Sequence, residues 1–309
     1  MSGLSSMRCV VFGGGGFVGT NLCRSLVGKV DSLRAFGRRQ SFPDALRGIN
    51  WIPGDFTNSS DIAAAVAGCD VVFHLVTATT PASSNVDKIV DIQSNVVSTL
   101  HLLDACREER VRRVIFVSSG GTIYGIPETI PTPEQAPLNP ITAYGITKLA
   151  IEKYLALYEY LYGIEYRVLR VANPFGPFQT ALRGQGVIAA FLAHALGGKP
   201  IEMWGDGSIT RDYIYIDDVV EALELAALHN GKSRVFNIGS GVGRNLHEIL
   251  VGIEKVLGKS IDIRRFEGRK VDVPRSILDI GLAAADLAWQ PHTDFSDGLK
   301  KTIDWMRET

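Results

Sequence analysis

Two short stretches carry residues able to move a proton. One is Ser118-Ser-Gly-Gly-Thr122, a hydroxyl-rich turn closing the apolar run Val114–Val117. The other is Tyr144-Gly-Ile-Thr-Lys148. Residues four apart on a helix share a face, so Tyr144 and Lys148 are read as neighbours at the start of one. A free phenol titrates near pH ~10, and its anion is scarce at neutral pH. An ammonium and a cationic nicotinamide ring nearby would favour the phenolate. Tyr144 would then take a proton from a sugar hydroxyl while hydride leaves the same carbon. Lys148 would also hold the cofactor's ribose hydroxyls.

Such a pair needs a dinucleotide. Near the start of the chain, Gly13-Gly-Gly-Gly-Phe-Val-Gly19 follows the β-branched run Arg8–Phe12 and precedes a helical pattern at Val18, Leu22 and Leu26. The glycines at 13, 16 and 19 allow a tight turn and close approach of a pyrophosphate, which the next helix faces with its positive end. NAD binding calls for a carboxylate at the end of the second strand. Here Gly37-Arg-Arg39 stands instead, and two guanidinium groups suit the 2′-phosphate of NADP. NADP is therefore favoured over NAD. Asp55 is either an acceptor for the adenine amino group or a turn residue.

The elements that must hold these residues alternate. Short apolar runs (Leu33–Phe36, Val71–Leu75, Val114–Val117, Tyr166–Val171) alternate with helical segments (Ile62–Ala67, Val90–Glu109, Thr142–Tyr162). That rhythm predicts a Rossmann-type, doubly wound parallel sheet over residues 1–173. Beyond Asn173-Pro-Phe-Gly-Pro177, Gly and Pro become frequent. Strands at Ile201–Trp204, Tyr213–Ile216, Val235–Ile238 and Ile261–Arg264 mix with helices at Val187–Leu196, Val219–His229 and Leu246–Leu257. Residues 174–309 are expected to form a smaller C-terminal α/β substrate lobe, with 235–240 returning to the first sheet.

Composition excludes several classes. A 309-residue chain that is 46% hydrophobic can bury a substantial core. The net charge of −1 gives no reason to expect nucleic acid or an anionic membrane as partner. No apolar run reaches transmembrane length. The four cysteines, at 9, 23, 69 and 106, show no ligand spacing, and the six histidines are scattered. The expectation is a cytoplasmic protein with buried thiols and no metal. His74, ending an apolar run, is expected to be structural.

Taken together, these motifs resemble the extended short-chain dehydrogenase/reductases, and within them the nucleotide-sugar epimerases similar to UDP-glucose 4-epimerase. The resemblance spans nearly the whole chain. Besides the stretches above it rests on Val72-Phe-His-Leu75, Ile123-Tyr-Gly125, Asn173-Pro-Phe-Gly176 and Trp204-Gly-Asp-Gly207. It continues through Arg211-Asp-Tyr-Ile-Tyr-Ile-Asp217, Phe236-Asn-Ile-Gly-Ser-Gly241 and Arg269-Lys-Val-Asp-Val-Pro274. It implies a cofactor held by Gly13, Gly16, Phe17, Val18, Gly19, Arg38, Arg39, Asp55, Phe56, Leu75, Tyr144 and Lys148. It implies a UDP-sugar held by Asn173, Val187, Arg211 and Arg269, with the two arginines clamping the diphosphate. It also implies a homodimer formed by the helices Val90–Glu109 and Ala143–Tyr162.

Two departures stand out. The family's epimerases place Ser or Thr where Gly120 lies, and its 4,6-dehydratases place Asp and Glu where Gly121 and Thr122 lie. The missing acids argue against a dehydratase. Thr122, and after it Ser119, becomes the candidate third catalytic hydroxyl, and Gly120 is expected to leave room for a bulkier sugar substituent. The second departure, Gly37-Arg-Arg39, is similar to the Arg-Arg of GDP-mannose 4,6-dehydratase, which uses NADP. The activity implied is a UDP-hexose 4-epimerase working through a 4-keto sugar. The alternative is an NADPH-dependent reductase of a nucleotide-linked 4-ketosugar.

Overall fold

The computed structural model describes residues 3–180, 186–267 and 273–308. Arg8–Phe12 (β1) is buried on every side chain after Arg8, as expected of a strand covered on both faces. Among the described residues it sits near the middle of a seven-stranded parallel sheet. The others are Ser32–Gly37 (β2), Asn50–Pro53 (β3), Val71–His74 (β4), Arg113–Ser119 (β5), Glu165–Val171 (β6) and, after three intervening strands, Val235–Ile238 (β10). The order is β10-β6-β5-β4-β1-β2-β3. Register aligns Phe12 with both Phe36 and His74, and Ser119 with Val171.

The chain runs outward from β1 in one direction and from β4 in the other. The crevice of such a sheet opens where that direction reverses, at the carboxyl ends of β1 and β4. Helices cover both faces. Phe17–Leu26 (α1) and Ile216–Leu228 pack with the core around Leu22, Leu169, Leu223 and Phe236. On the other face Ser59–Val66, Ser98–Glu108 and Ala143–Tyr162 pack around Ile62, Leu102, Ile151 and Leu155.

The intervening strands are Asn173–Phe175 (β7), Ile201–Trp204 (β8) and Thr210–Tyr215 (β9). Beyond β10 come Gly243–Arg244 (β11), Ile263–Phe266 (β12) and Arg275–Ser276 (β13). β9 is central to a small sheet with β7, β11 and β13, and β8 pairs with β12. β9 ends at Tyr215 and the next helix starts at Ile216, so the expected strand through 216 and helix from 219 are each displaced.

The helix expected over Val90–Glu109 is not continuous. An α-turn at Lys88–Asp91 leads into a π-helical turn at Ile92–Val97 before regular helix resumes at Ser98. Polar side chains there bond the helix's own carbonyls. Ser94 donates to Val90, Asn95 to Asp91, Ser98 to Gln93 and Thr99 to Asn95, and such competition perturbs the regular ladder. β3 escapes a pattern search because it is short, lies at the sheet edge and ends in proline.

Candidate active site

The glycine turn follows β1 directly. Gly13 has φ +86°, which L side chains avoid. A Cβ on Gly19 would lie 2.1 Å from the Gly13 carbonyl oxygen, so helix and turn approach as only glycine permits. The α1 helix begins at Phe17 with Gly16 as its cap and no side-chain hydrogen bond to its first amides. Val18 stands in that first turn. Open amides behind a backbone cradle fit a pyrophosphate.

Residues just past β2 and β4 flank the cradle. A Cβ on Gly15 would lie 2.6 Å from the Arg39 carbonyl oxygen and 3.1 Å from Cη2 of Trp51. Arg38 and Arg39 are exposed just past β2. The Leu75 amide bonds the Phe12 carbonyl, and the Leu75 backbone stands beside Gly13. Phe56 is buried against Phe12 and His74. Asp55 closes a turn, its Oδ1 accepting from the amide and hydroxyl of Thr57, each at 2.8 Å. Those two bonds hold its carboxyl below the usual carboxylate range.

The start of the Ala143–Tyr162 helix is fixed from outside. Its amides at Ala143, Tyr144 and Gly145 donate to Asn85 Oδ1, Ser84 Oγ and Thr142 Oγ1. The loop after β4 thus sets the position of Tyr144. Lys148 is buried, and its Nζ donates to the Val117 carbonyl at 2.9 Å. It lies 4.6 Å from the Phe116 ring centre and 5.7 Å from that of Tyr144.

Burial disfavours both charged forms. It pushes the Tyr144 phenol up to about 12 and the Lys148 ammonium down to about 8. Burial thus opposes the phenolate that the ammonium and the nicotinamide ring are together expected to favour. Burial dominates, the Asp91 charge adds to it, and a hydrogen bond with Thr77 works the other way.

The end of β5 and the turn after it carry two unpartnered hydroxyls. Ser118 Oγ and Thr122 Oγ1 are buried without hydrogen bonds, and the Thr122 carbonyl touches Gly145, where a Cβ would lie 2.8 Å away. Buried orphan hydroxyls fit a polar ligand group. Ser119 is half-buried at the strand end, its carbonyl bonded by the Thr122 and Ile123 amides. Gly120 does not open space for a sugar substituent. A Cβ there would lie 2.5 Å from Leu278 Cδ1 and 3.0 Å from the Arg170 carbonyl. Leu278 already occupies that direction, so a side chain at 120 would force it to move. Gly121, by contrast, faces open space.

On the far wall, Asn173 Nδ2 donates to the Asp212 carbonyl, and Arg211 donates to the carbonyls of Thr210 and Val273. Both stand along β7 and β9. Val187 opens its helix behind Gly186, which packs on Gln179. Arg269 lies outside the described residues. Thr77, Ser84, Asn85 and Leu278 were not read from the sequence. A signal existed for the loop: Thr80-Pro-Ala-Ser83 is a capping box. Leu278 had none, since it reaches Gly120 only through the fold. No group of three or more His, Cys, Asp or Glu placed to hold a metal occurs among the described residues.

Comparison with known proteins agrees with this geometry. Residues 9–239 match the model of the NAD dependent epimerase/dehydratase family. The chain is 34% identical to the UDP-glucose 4-epimerase of Mycolicibacterium smegmatis, over 97% of this chain and 99% of that one. It is 32% identical to the dTDP-4-dehydro-6-deoxyglucose reductase of Escherichia coli, over 96% and 97%. The structure superposes on that of the Thermotoga maritima UDP-glucose 4-epimerase with UDP-glucose at a TM-score of 0.93, with 33% identity and coverage of 98% and 99%.

Proposed function

The chain belongs to the NAD dependent epimerase/dehydratase family, and on that premise we propose that it is a nucleotide-sugar 4-epimerase acting on UDP-hexoses. The observation that carries this is the Tyr144–Lys148 pair, set by β5 and the loop after β4 at the mouth of the sheet's crevice. When bound, the nicotinamide supplies a reversible hydride acceptor.

The chain's own residues do the rest. The Gly13–Gly19 turn and the first turn of α1 hold the pyrophosphate, Lys148 the ribose hydroxyls, and Asn173, Arg211 and Arg269 the sugar diphosphate, with Val187 near the base. Tyr144 removes the proton of the C4 hydroxyl and returns it once the other face of the sugar is presented. Thr122 steadies the C4 oxygen, with Ser119 behind it. Gly121 and Thr122 offer no acid to expel a hydroxyl, which speaks against dehydration.

Arg38 and Arg39 favour NADP over NAD, so Arg39→Ala should weaken NADP binding about tenfold and NAD binding little. We read 174–309 as mainly the substrate lobe, with Val235–Ile238 returning to the first sheet, and the assembly as a homodimer. The four buried, unpaired thiols suit a reducing cytoplasm.

Mass spectrometry of nucleotides released from the denatured protein identifies the cofactor. Incubation with UDP-glucose, UDP-GlcNAc and their C4 epimers then tests the reaction. Interconversion is expected with no net change in cofactor, and Tyr144→Phe should lose at least ~10²-fold in turnover while keeping its dinucleotide. Conversion of none of these sugars removes the proposal. The Escherichia coli relative favours a second reading, a 4-ketosugar reductase; net consumption of NADPH with a nucleotide-linked ketosugar would select it.

A further inference from the structure

Asp91 is only 1% exposed, yet it carries a carboxylate for which the proposed reaction has no task. Its Oδ1 accepts from the Thr79 hydroxyl and from Asn95 Nδ2 at 3.0 Å, and its Oδ2 accepts from the Thr147 hydroxyl. The donors come from separate places. Thr79 lies on the loop after β4, Asn95 in the π-helical turn, and Thr147 between Tyr144 and Lys148 on their helix. Asn95 also accepts from the Ala78 amide at 2.9 Å, and the same loop brings Thr77 to the phenol. All three side-chain donors, from Thr79, Asn95 and Thr147, are neutral.

We propose that Asp91 is a positioning residue of the Tyr144–Lys148 pair: it ties the loop after β4 to the first turns of the helix and places a fixed negative charge behind both groups. Of the other groups facing the pair, Glu152 also raises the proton affinity of Lys148, and more strongly than Asp91 does. Glu152, one turn beyond Lys148, is engaged by Arg170 through two hydrogen bonds, at 3.2 and 2.8 Å. His74 on β4 is buried and neutral over the working range, burial holding it down to about 3. Phe116 presents only its ring. The Asp91 charge raises the proton affinity of Lys148 and of Tyr144 together. With Glu152 it opposes the burial that lowers the lysine's hold on its proton. On Tyr144 it adds to the larger effect of burial.

The inference rests on Tyr144 and Lys148 being the reacting pair, but its main test needs no turnover. Protein labelled with 13C at lysine Cε is titrated by NMR, with Lys148→Arg assigning the resonance. Asp91→Asn should lower the Lys148 midpoint by roughly one pH unit. Asp91→Glu, which keeps the charge, should restore it. An unchanged midpoint in Asp91→Asn overturns the electrostatic role, whatever the substrate proves to be. Thr147→Val keeps the charge and cuts one tie. Its kcat should fall about tenfold with the Lys148 midpoint unmoved, and Thr147→Ser should recover it. Parental kcat in Thr147→Val overturns the positioning role. Should Asp91→Asn fail to fold, the two Thr147 variants decide.

Discussion

At the scale of single residues, His74 shows how burial assigns a role. Its ring lies between Phe56 and Phe116, and Nε2 bonds Thr99 Oγ1 at 2.8 Å. Thr99 already donates its hydroxyl hydrogen to Asn95, so Nε2 must carry the imidazole proton. Nδ1 has no partner. A second proton would leave a buried cation, and burial depresses the folded value to about 3 from 6.5. The unfolded chain therefore binds a proton that the folded chain refuses throughout that window. Stability is fully present above pH 6.5 and falls on acidification, by up to about 1.4 kcal/mol per pH unit from this group. Urea midpoints measured between pH 7 and pH 4.5 should show the slope, and His74→Phe should flatten it. An equal slope in both proteins would place the acid sensitivity elsewhere. The expected structural role of His74 followed from an apolar run ending in histidine. Asp91 gave no comparable sign, because its donors come from the loop, the π-helical turn and a helix over fifty residues on, and only tertiary structure joins them.

Elements decide what a sequence motif can mean. Tyr144 and Lys148 were legible because one helical period fixes their spacing, and the glycine turn because strand, turn and helix follow one another in the chain. The Gly-Gly at 120–121 was not, because the element packed against it arrives from residues 277–278. There the chain runs beside Thr132, and Leu278 is buried with Ile123 and Tyr124. The β5 turn and this segment are thus complementary, glycine on one side and leucine on the other. Gly120→Ser should destabilise the protein by about 1–3 kcal/mol through overpacking. Leu278→Ala alone should cost about 2–4 kcal/mol by leaving a cavity. Together they should cost clearly less than their sum, with a coupling of at least ~0.5 kcal/mol, read from urea denaturation of the four proteins. Strict additivity would show that the two do not share the space. Gly121→Ala, facing open space, should be nearly neutral.

For the whole molecule, the informative surface is the one that solvent should not see. The Ala143–Tyr162 helix buries Ile151, Leu155 and Tyr158 against the sheet. Its outer side carries Tyr154, Leu157 and Leu161, with Tyr160 87% exposed, and the segment before the π-helical turn adds Val86, Ile89 and Val90. A helix apolar on both sides is normally covered on both, and exposed apolar side chains on these segments suit an interface. A second copy of the chain meeting it through a two-fold axis would cover both segments at once. These are the segments that carry Tyr144, Lys148 and Asp91, so dimerisation would also stiffen the frame of the proposed site. Sedimentation equilibrium should give twice the mass of one chain for the parent. Leu157→Asp, exposed in the single chain and free of its hydrogen bonds, should give one mass, with a lower melting temperature and reduced turnover. A parent that sediments as a single chain would leave the outer apolar stripe without its partner and refute the dimer. A Leu157→Asp protein that stays dimeric would move the interface off this helix.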